Sequence, residues 1–312
     1  MKKIILLLIA FCLGFSADSE NSNKFTYNKL SSSLSSLELE INLESTIEVA
    51  GYKKITNANS NHTIEPGFPE LPTHTAFYQV DPEKEYEVEL VVYDSYLIEN
   101  MAIYPHQGAN KEGNSFLINN DFYLSDGVYP ENNLITLERM HSRGFDLISI
   151  EVVPYNFYPS TSTLEVFTNM EILIHEVGQR EEGVNLITKR SRIFDSLLEN
   201  YVINFQSSDR EEDYQNPSIL YICGGSSCNY LDYLFEWRHE QGYVVNTASL
   251  GETGSSASSI KNYIQDAYYN WENPPEYVAL VGDVGGPYSL PTFYNDFGHD
   301  GNSRWICWCL VG

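Results

Sequence analysis

Between residues 31 and 177 the apolar positions recur with a period close to two. "YEVELVVY" (Tyr86–Tyr93) does so partially, while "DLISIEVVPYNFYP" (Asp146–Pro159) and "TLEVFTNMEILIHEV" (Thr163–Val177) do so more cleanly. Turn-forming clusters such as "STST" and "SDG" punctuate these runs, so each run reads as a strand. In the last of them Met170, Ile172, Ile174 and Glu176 share one face, and Glu171, Leu173, His175 and Val177 the other, because successive side chains on a strand point to opposite sides. Many short strands with almost no helical period predict a β-sandwich-like domain. His74, His141 and His175 fall in this half without ligand-like partners nearby in sequence and read as surface or interstrand histidines.

The pattern then changes. "GQREEGVNLITKRSR" is polar and carries the basic group Lys189, Arg190 and Arg192. "IFDSLLENYVINF" (Ile193–Phe205) has helical spacing at Phe194, Leu197, Leu198 and Tyr201, and "QSSDREEDYQNP" (Gln206–Pro217) has no apolar run and ends in proline, as an exposed linker would. After Pro217 strands and helices alternate. "SILYIC", "YVVNTASL" and "EYVALVGD" are apolar strands. Between them lie "NYLDYLFEWRHEQG", with Leu231, Leu234 and Phe235 inward and Gly242 as its stop, and a serine-capped helix striped by Ala257, Ile260, Ile264, Ala267 and Trp271. Apolar strands linked through helices predict a parallel sheet with right-handed crossovers.

Charge narrows the function classes. Against 18 Lys+Arg stand 43 Asp+Glu, a formal charge of −25, so the surface has no basic stripe to displace counterions from nucleic acid or anionic membranes. Such an acidic surface is first a solvated face and second a cation-binding one. Lys2 and Lys3 precede an apolar stretch, Ile4 to Leu13, that is too short to span a bilayer, and small residues follow at Gly14, Ser16 and Ala17. Residues 1–17 therefore read as a secretory signal peptide, leaving an exported protein free of the membrane after cleavage. Four cysteines remain beyond Cys12: Cys223, Cys228, Cys307 and Cys309. In an oxidising compartment Cys223–Cys228 is the best local disulfide pair. The spacing of the four matches no common zinc pattern, and only His299 is close enough in sequence to add a ligand.

Chemistry in open parallel sheets sits beyond the carboxyl ends of the strands. Gly282-Asp283 lies at that edge, ahead of Val284-Gly285-Gly286-Pro287, and this turn lacks the lysine and spacing of a phosphate loop. Asp283 is open to three roles: metal ligand, acid or base, or cap of the following turn. Asp296, Asp300 and Asn302 add oxygen on a loop eased by Gly301, without the spacing of an EF-hand.

"YLDYLFEWRHEQGYVVNTASL" (Tyr230–Leu250) followed by "IKNYIQDAYYNWENPPEYVALVGDV" (Ile260–Val284) resembles the start of the peptidase domain of the gingipain family of cysteine peptidases. Upstream, "EPGFPELPTHTAFYQV" (Glu65–Val80) and "VVPYNFYPSTSTLEVFTNMEILI" (Val152–Ile174) resemble that family's propeptide, in the same order. The resemblance implies a multidomain secreted zymogen: a β-sandwich-like propeptide, then a partial α/β caspase-like domain with a parallel βαβαβ sheet. It also implies protein or peptide substrates, and calcium as a bound ion with Asp283 as a candidate ligand; Asp296 and Asp300 on the following loop are further candidates, unless that loop is an ordinary acidic surface. The expected boundaries are signal peptide 1–17, β-rich propeptide 24–180, helix and linker 181–217, and the start of the peptidase domain 218–312.

In that family the catalytic histidine follows a "TGHG"-like turn and the nucleophilic cysteine ends a later strand, both well downstream of the "LVGD" strand. His299 in "FGHDG" and Cys307 and Cys309 in "RWICWCLVG" match neither. A thiolate and an imidazole need a rigid frame to meet, which nearness in sequence does not supply. The sequence therefore predicts a truncated, catalytically silent N-terminal part of a cysteine endopeptidase precursor, with no catalytic residue of its own. The alternative from another class is a secreted propeptide-like module that binds or inhibits a related peptidase.

Overall fold

Alternating strands need neighbours to cover one face, and most of those neighbours come from far along the chain. The computed structural model describes residues 25–43, 45–56, 61–108, 115–137, 139–143, 145–180, 189–208, 210–283, 285–295 and 305–306. Strands β1 (Phe25–Lys29) and β2 (Leu34–Glu40) pair as a hairpin, as do β3 (Ser45–Val49) and β4 (Tyr52–Thr56). Next come β5 (Asn61–His62), β6 (Pro72–Val80), the long β7 (Lys84–Ile98) and a single helical turn, α1 (Asn120–Tyr123). Then follow β8 (Leu134–Thr136), β9 (Met140–Ser142), β10 (Phe145–Val152), β11 (Tyr155–Tyr158) and β12 (Thr163–Gln179). The run expected as one strand over Asp146–Pro159 is divided at Val153-Pro154, where proline has no N–H to offer a ladder.

Two sheets result. One has the order β1-β2-β12-β11, with β7 also on β12; the other has the order β5-β6-β10-β8, with β9 also on β10. Leu37 and Leu39 of β2, Met170, Ile172 and Ile174 of β12, Tyr78 and Val80 of β6, and Ile148 and Ile150 of β10 enter one hydrophobic core. Of the two β12 faces separated by alternation, that of Met170, Ile172 and Ile174 is the buried one, with Glu176 at its end half-buried. Thr168 on β12 and Tyr93 on β7 are each skipped in the ladder, and the two irregularities offset each other. The inward phase of β12 is therefore the same before and after them. His74 is buried on β6, and His175 stands half-buried opposite Leu34 and Glu87.

The chain divides into two compact units. One comprises Met1–Arg139, Leu147–Glu181 and Val202–Asn204; the other comprises Met140–Asp146, Glu182–Tyr201 and Phe205–Gly312. In the second unit α2 (Arg192–Tyr201) leads to β13 (Ser218–Cys223), α3 (Asp232–Glu240), β14 (Val244–Ser249), the short α4 (Leu250–Thr253), α5 (Ala257–Asn270) and β15 (Tyr277–Val281). The sheet order is β14-β13-β15, with both pairings parallel, as the strand–helix alternation predicts. Every residue of β13 is buried: Leu220 and Ile222 join Ile260, Ile264 and Ala267 of α5, while Ile219 and Tyr221 meet Leu234 and Phe235 of α3. Ser256 and Ser259 bond each other's backbone N–H at 3.0 Å, a capping box that starts α5. Gly242, at φ +87°, ends α3.

Two sequence expectations change here. The stripe expected on α2 holds only in part: Leu198 is buried and Phe194 half-buried, but Leu197 and Tyr201 are 49% and 54% exposed, and Asp195 is buried instead. Asp195 is held by the Arg190 guanidinium at 2.7 Å and the Tyr214 hydroxyl at 2.8 Å, and it sits in the first helical turn, where a negative charge is favoured. Within Gln206–Pro217, expected as an exposed linker, Gln206, Ser207, Arg210, Glu211 and Asn216 are exposed, but residues 213–215 are anchored. Arg190 and Tyr214 form a bridge, Arg190 N–H donates to Asp213 O at 2.8 Å, and the buried Gln215 amide donates to Pro274 O at 2.8 Å. Hydrogen-bonding capacity, invisible to an apolar count, does the anchoring.

Candidate functional site

The three parallel strands end level with one another, at Cys223, Ser249 and Val281. Beyond that edge the chain is tied back on itself. Gly224 N–H and the Ser227 hydroxyl both donate to Val281 O at 2.9 Å. Asp283 N–H donates to Tyr288 O at 3.1 Å, and Leu290 N–H donates to Asp283 O at 2.8 Å. A Cβ added at Gly224 would lie 2.3 Å from Tyr288 O, and one at Gly282 would lie 2.4 Å from the same oxygen, so the returning backbone requires glycine at both. The expected disulfide Cys223–Cys228 is formed, with Cα atoms 5.6 Å apart, and closes the first loop. The hydroxyls of Tyr230 and Tyr288 bond at 3.0 Å, which pushes the Tyr230 phenol above its ordinary range.

Asp283 stands at this edge with its backbone engaged in the turn and its side chain exposed. Asp296 and Asp300 lie outside the described residues, as do Asn302, His299, Cys307, Cys309 and the signal segment 1–17. In the second unit His239 is in the last turn of α3, where a parallel crossover has returned toward the amino ends of the strands. Its described cysteines are joined to each other. Among the described residues no thiol and imidazole are therefore brought together. Among them, too, no helix is long and apolar enough to cross a membrane.

At the amino ends of these strands lies a buried polar group that sequence reasoning missed. Glu276 receives the Ser191 hydroxyl and Ser218 N–H, and Arg143 lies 3.9 Å from it. The Arg143 guanidinium packs over the rings of Phe194 and Tyr268, and burial lowers its pKa. These contacts organise the start of β13 and β15, at the opposite end from Asp283.

A second missed group lies in the β-rich unit. His62, Glu70 and His106 each present one ligand atom, and the three atoms lie within 4.8 Å of one another. Glu70 is buried, with Lys54 Nζ 2.7 Å from one carboxylate oxygen and His106 Nδ1 3.1 Å from the other. Burial alone pushes the Glu70 carboxyl up, but its bonds to Lys54 and His106 outweigh that and hold it below the usual glutamate value. "EPGFPELPTH" contains Glu70, yet nothing in its spacing points to histidines on other segments.

The chain thus joins a β-rich unit to a parallel α/β sheet whose edge turn carries an aspartate. Residues 34–212 match the family described as Propeptide_C25, and residues 212–302 match Peptidase family C25. The chain therefore belongs to the C25 family, the gingipain-type cysteine peptidases. Similar curated proteins include Gingipain R2 of Porphyromonas gingivalis strains ATCC BAA-308 / W83 and ATCC 33277, each 19% identical over 229 residues. Each match covers 70% of this chain but only 31% of the relative, so the chain spans about a third of those proteins. Among solved structures, a chain of the "Complex of Porphyromonas gingivalis RgpB pro- and mature domains" is similar at a TM-score of 0.50 and 17% identity, covering 58% of this chain and 96% of that one. That likeness supports the fold.

Proposed function

We propose that these 312 residues are the N-terminal part of a secreted gingipain-like cysteine endopeptidase precursor, and that by themselves they are catalytically silent. The observation that carries this reading is the head-to-tail order in one chain of a propeptide match ending at residue 212 and a peptidase match beginning there. The parallel sheet starts six residues later, at Ser218. In the complete precursor a cysteine thiolate would attack the peptide carbonyl, histidine would carry the proton, and backbone N–H groups would hold the oxyanion. The α/β unit is the opening of a caspase-like domain, and proteins or peptides are the substrates. Residues 1–17 direct export. The purified chain should release no fragments from a dye-labelled protein substrate under reducing conditions with calcium. Hydrolysis abolished by Cys307→Ala or Cys309→Ala would overturn the silence.

In the complete family member calcium binds at the carboxyl edge of the sheet, with Asp283 as one ligand and Asp296 and Asp300 as its partners. Calcium prefers six to eight oxygens, and an exposed strand-end carboxylate among backbone carbonyls suits it. Calorimetric titration of wild type and Asp283→Ala should differ, and identical heats would remove Asp283 from the site.

A second reading is favoured by the solved relative, in which a pro domain is held in a complex with a mature domain. The β-rich unit would then bind a related peptidase in trans. Adding the purified chain to active Gingipain R2 tests this, with loss of turnover as the expected result.

A further inference from the structure

The zymogen reading uses nothing of the cluster in the β-rich unit, and that cluster has the composition of a transition-metal site. We infer that His62, Glu70 and His106 bind a single zinc ion. Two imidazoles and a carboxylate are a borderline donor set that zinc takes readily, with water completing four-coordination. Calcium, which wants many oxygens, is poorly served by two nitrogens.

Backbone pairing holds the three ligands on one frame. Glu70 N–H donates to Tyr104 O and His106 N–H donates to Phe68 O, each at 2.8 Å, around the bridge between Pro69 and Pro105. His62 is in β5, in register with Pro72, while Thr63 N–H donates to Leu71 O at 2.8 Å and the Thr63 hydroxyl donates to Pro69 O at 2.7 Å. Three segments are thus pinned within a few residues of each ligand, and sites on such elements are more exact than sites on free loops.

The distances suit an ion. His106 Nδ1 and Glu70 Oε2 are 3.1 Å apart, close to the roughly 3.4 Å edge of a tetrahedron with metal–ligand bonds of about 2.1 Å. The His62 and His106 rings are 5.3 Å apart between centroids, so a rotamer adjustment of the exposed His62 brings its nitrogen into range. Zinc at Nδ1 replaces the hydrogen bond to Oε2, and the neutral imidazole then carries its proton on Nε2. Lys54, 2.7 Å from the other Glu70 oxygen and over the Tyr104 ring, holds the carboxylate from outside, as outer partners of metal ligands do.

The test uses the full chain, stripped with a chelator and titrated calorimetrically with zinc alone and with calcium alone. Wild type should take up one equivalent of zinc that is at least about tenfold weaker in His62→Ala and in His106→Ala, and zinc should raise the thermal midpoint of wild type only. His62 is exposed, so His62→Ala should keep the metal-free midpoint and decides the matter if His106→Ala does not fold. Cobalt in place of zinc should give the visible d–d bands of a tetrahedral complex in wild type and lose them in His62→Ala. Equal zinc uptake by wild type and His62→Ala, or none by wild type, overturns the site. None of these readouts depends on peptidase activity, so failure here leaves the precursor reading intact, and the reverse holds.

Discussion

Strands β12 and β13 draw on the same apolar vocabulary but are covered differently. In β12 Met170, Ile172 and Ile174 are buried against the core, while Glu171, Leu173 and His175 between them are only half-covered. In β13 every position is buried, with α5 packed on one face and α3 on the other. An antiparallel sheet can leave one face to water, whereas a parallel one, with its helical crossovers, cannot. The two strands show that alternation reports how many faces a sheet must hide, and strand propensity alone does not.

Truncation tests this contrast most strongly. In β13 both Ile219→Ala and Leu220→Ala should cost about 2–5 kcal/mol, since each face has its own cluster. In β12 Ile172→Ala should cost as much, but Leu173→Ala only about 1 kcal/mol or less. Urea unfolding of the full chain, followed through the transition of the unit concerned, measures all four. An insensitive Ile219, or a Leu173 as costly as Ile172, breaks the comparison.

Glycines give the next largest difference. Gly224→Ala forces a Cβ against Tyr288 O and should cost about 1–3 kcal/mol. Gly178, near the end of β12, has open space around it, and Gly178→Ala should be neutral or stabilise by a few tenths of a kcal/mol. Thermal unfolding of the two variants separates a turn built on close approach from a strand end that is not.

The β-rich unit also carries the buried carboxylate Glu70, whose pH response has a definite sign. Its folded pKa lies below the unfolded value, so its contribution is fully present above the unfolded glutamate range and is lost as pH falls through the lower folded value. Glu70→Gln in metal-free buffer should cost about 1–2 kcal/mol at neutral pH. It should also flatten the acid limb of stability for this unit while leaving that of the α/β unit unchanged. An acid limb as steep as that of wild type would assign the pH dependence to other carboxylates.

Much of the fold is legible in the residues themselves, for a definite reason. The two faces of β12, the three apolar strands after Pro217, the serine cap of α5 and the stop at Gly242 depend on neighbours within a turn or a strand. Periodicity and capping chemistry record such preferences directly. The stripe of α2 held at Leu198 and Phe194 but missed Asp195, which Arg190 and Tyr214 grip, a polar attachment that an apolar count does not register. The anchoring of Gln215 to Pro274, 59 residues on, is of the same kind.

By itself the sequence determined that an alternating β-rich half precedes an α/β half, and that Asp283 lies at the carboxyl edge of the third apolar strand. Only the tertiary structure decided that Arg143 is buried near Glu276, and that His62, Glu70 and His106 converge although Glu70 and His106 are 36 residues apart. Side-chain period is a property of the local backbone, whereas the meeting of distant polar groups depends on which strands pair and in what register. Register follows from the packing of the whole core.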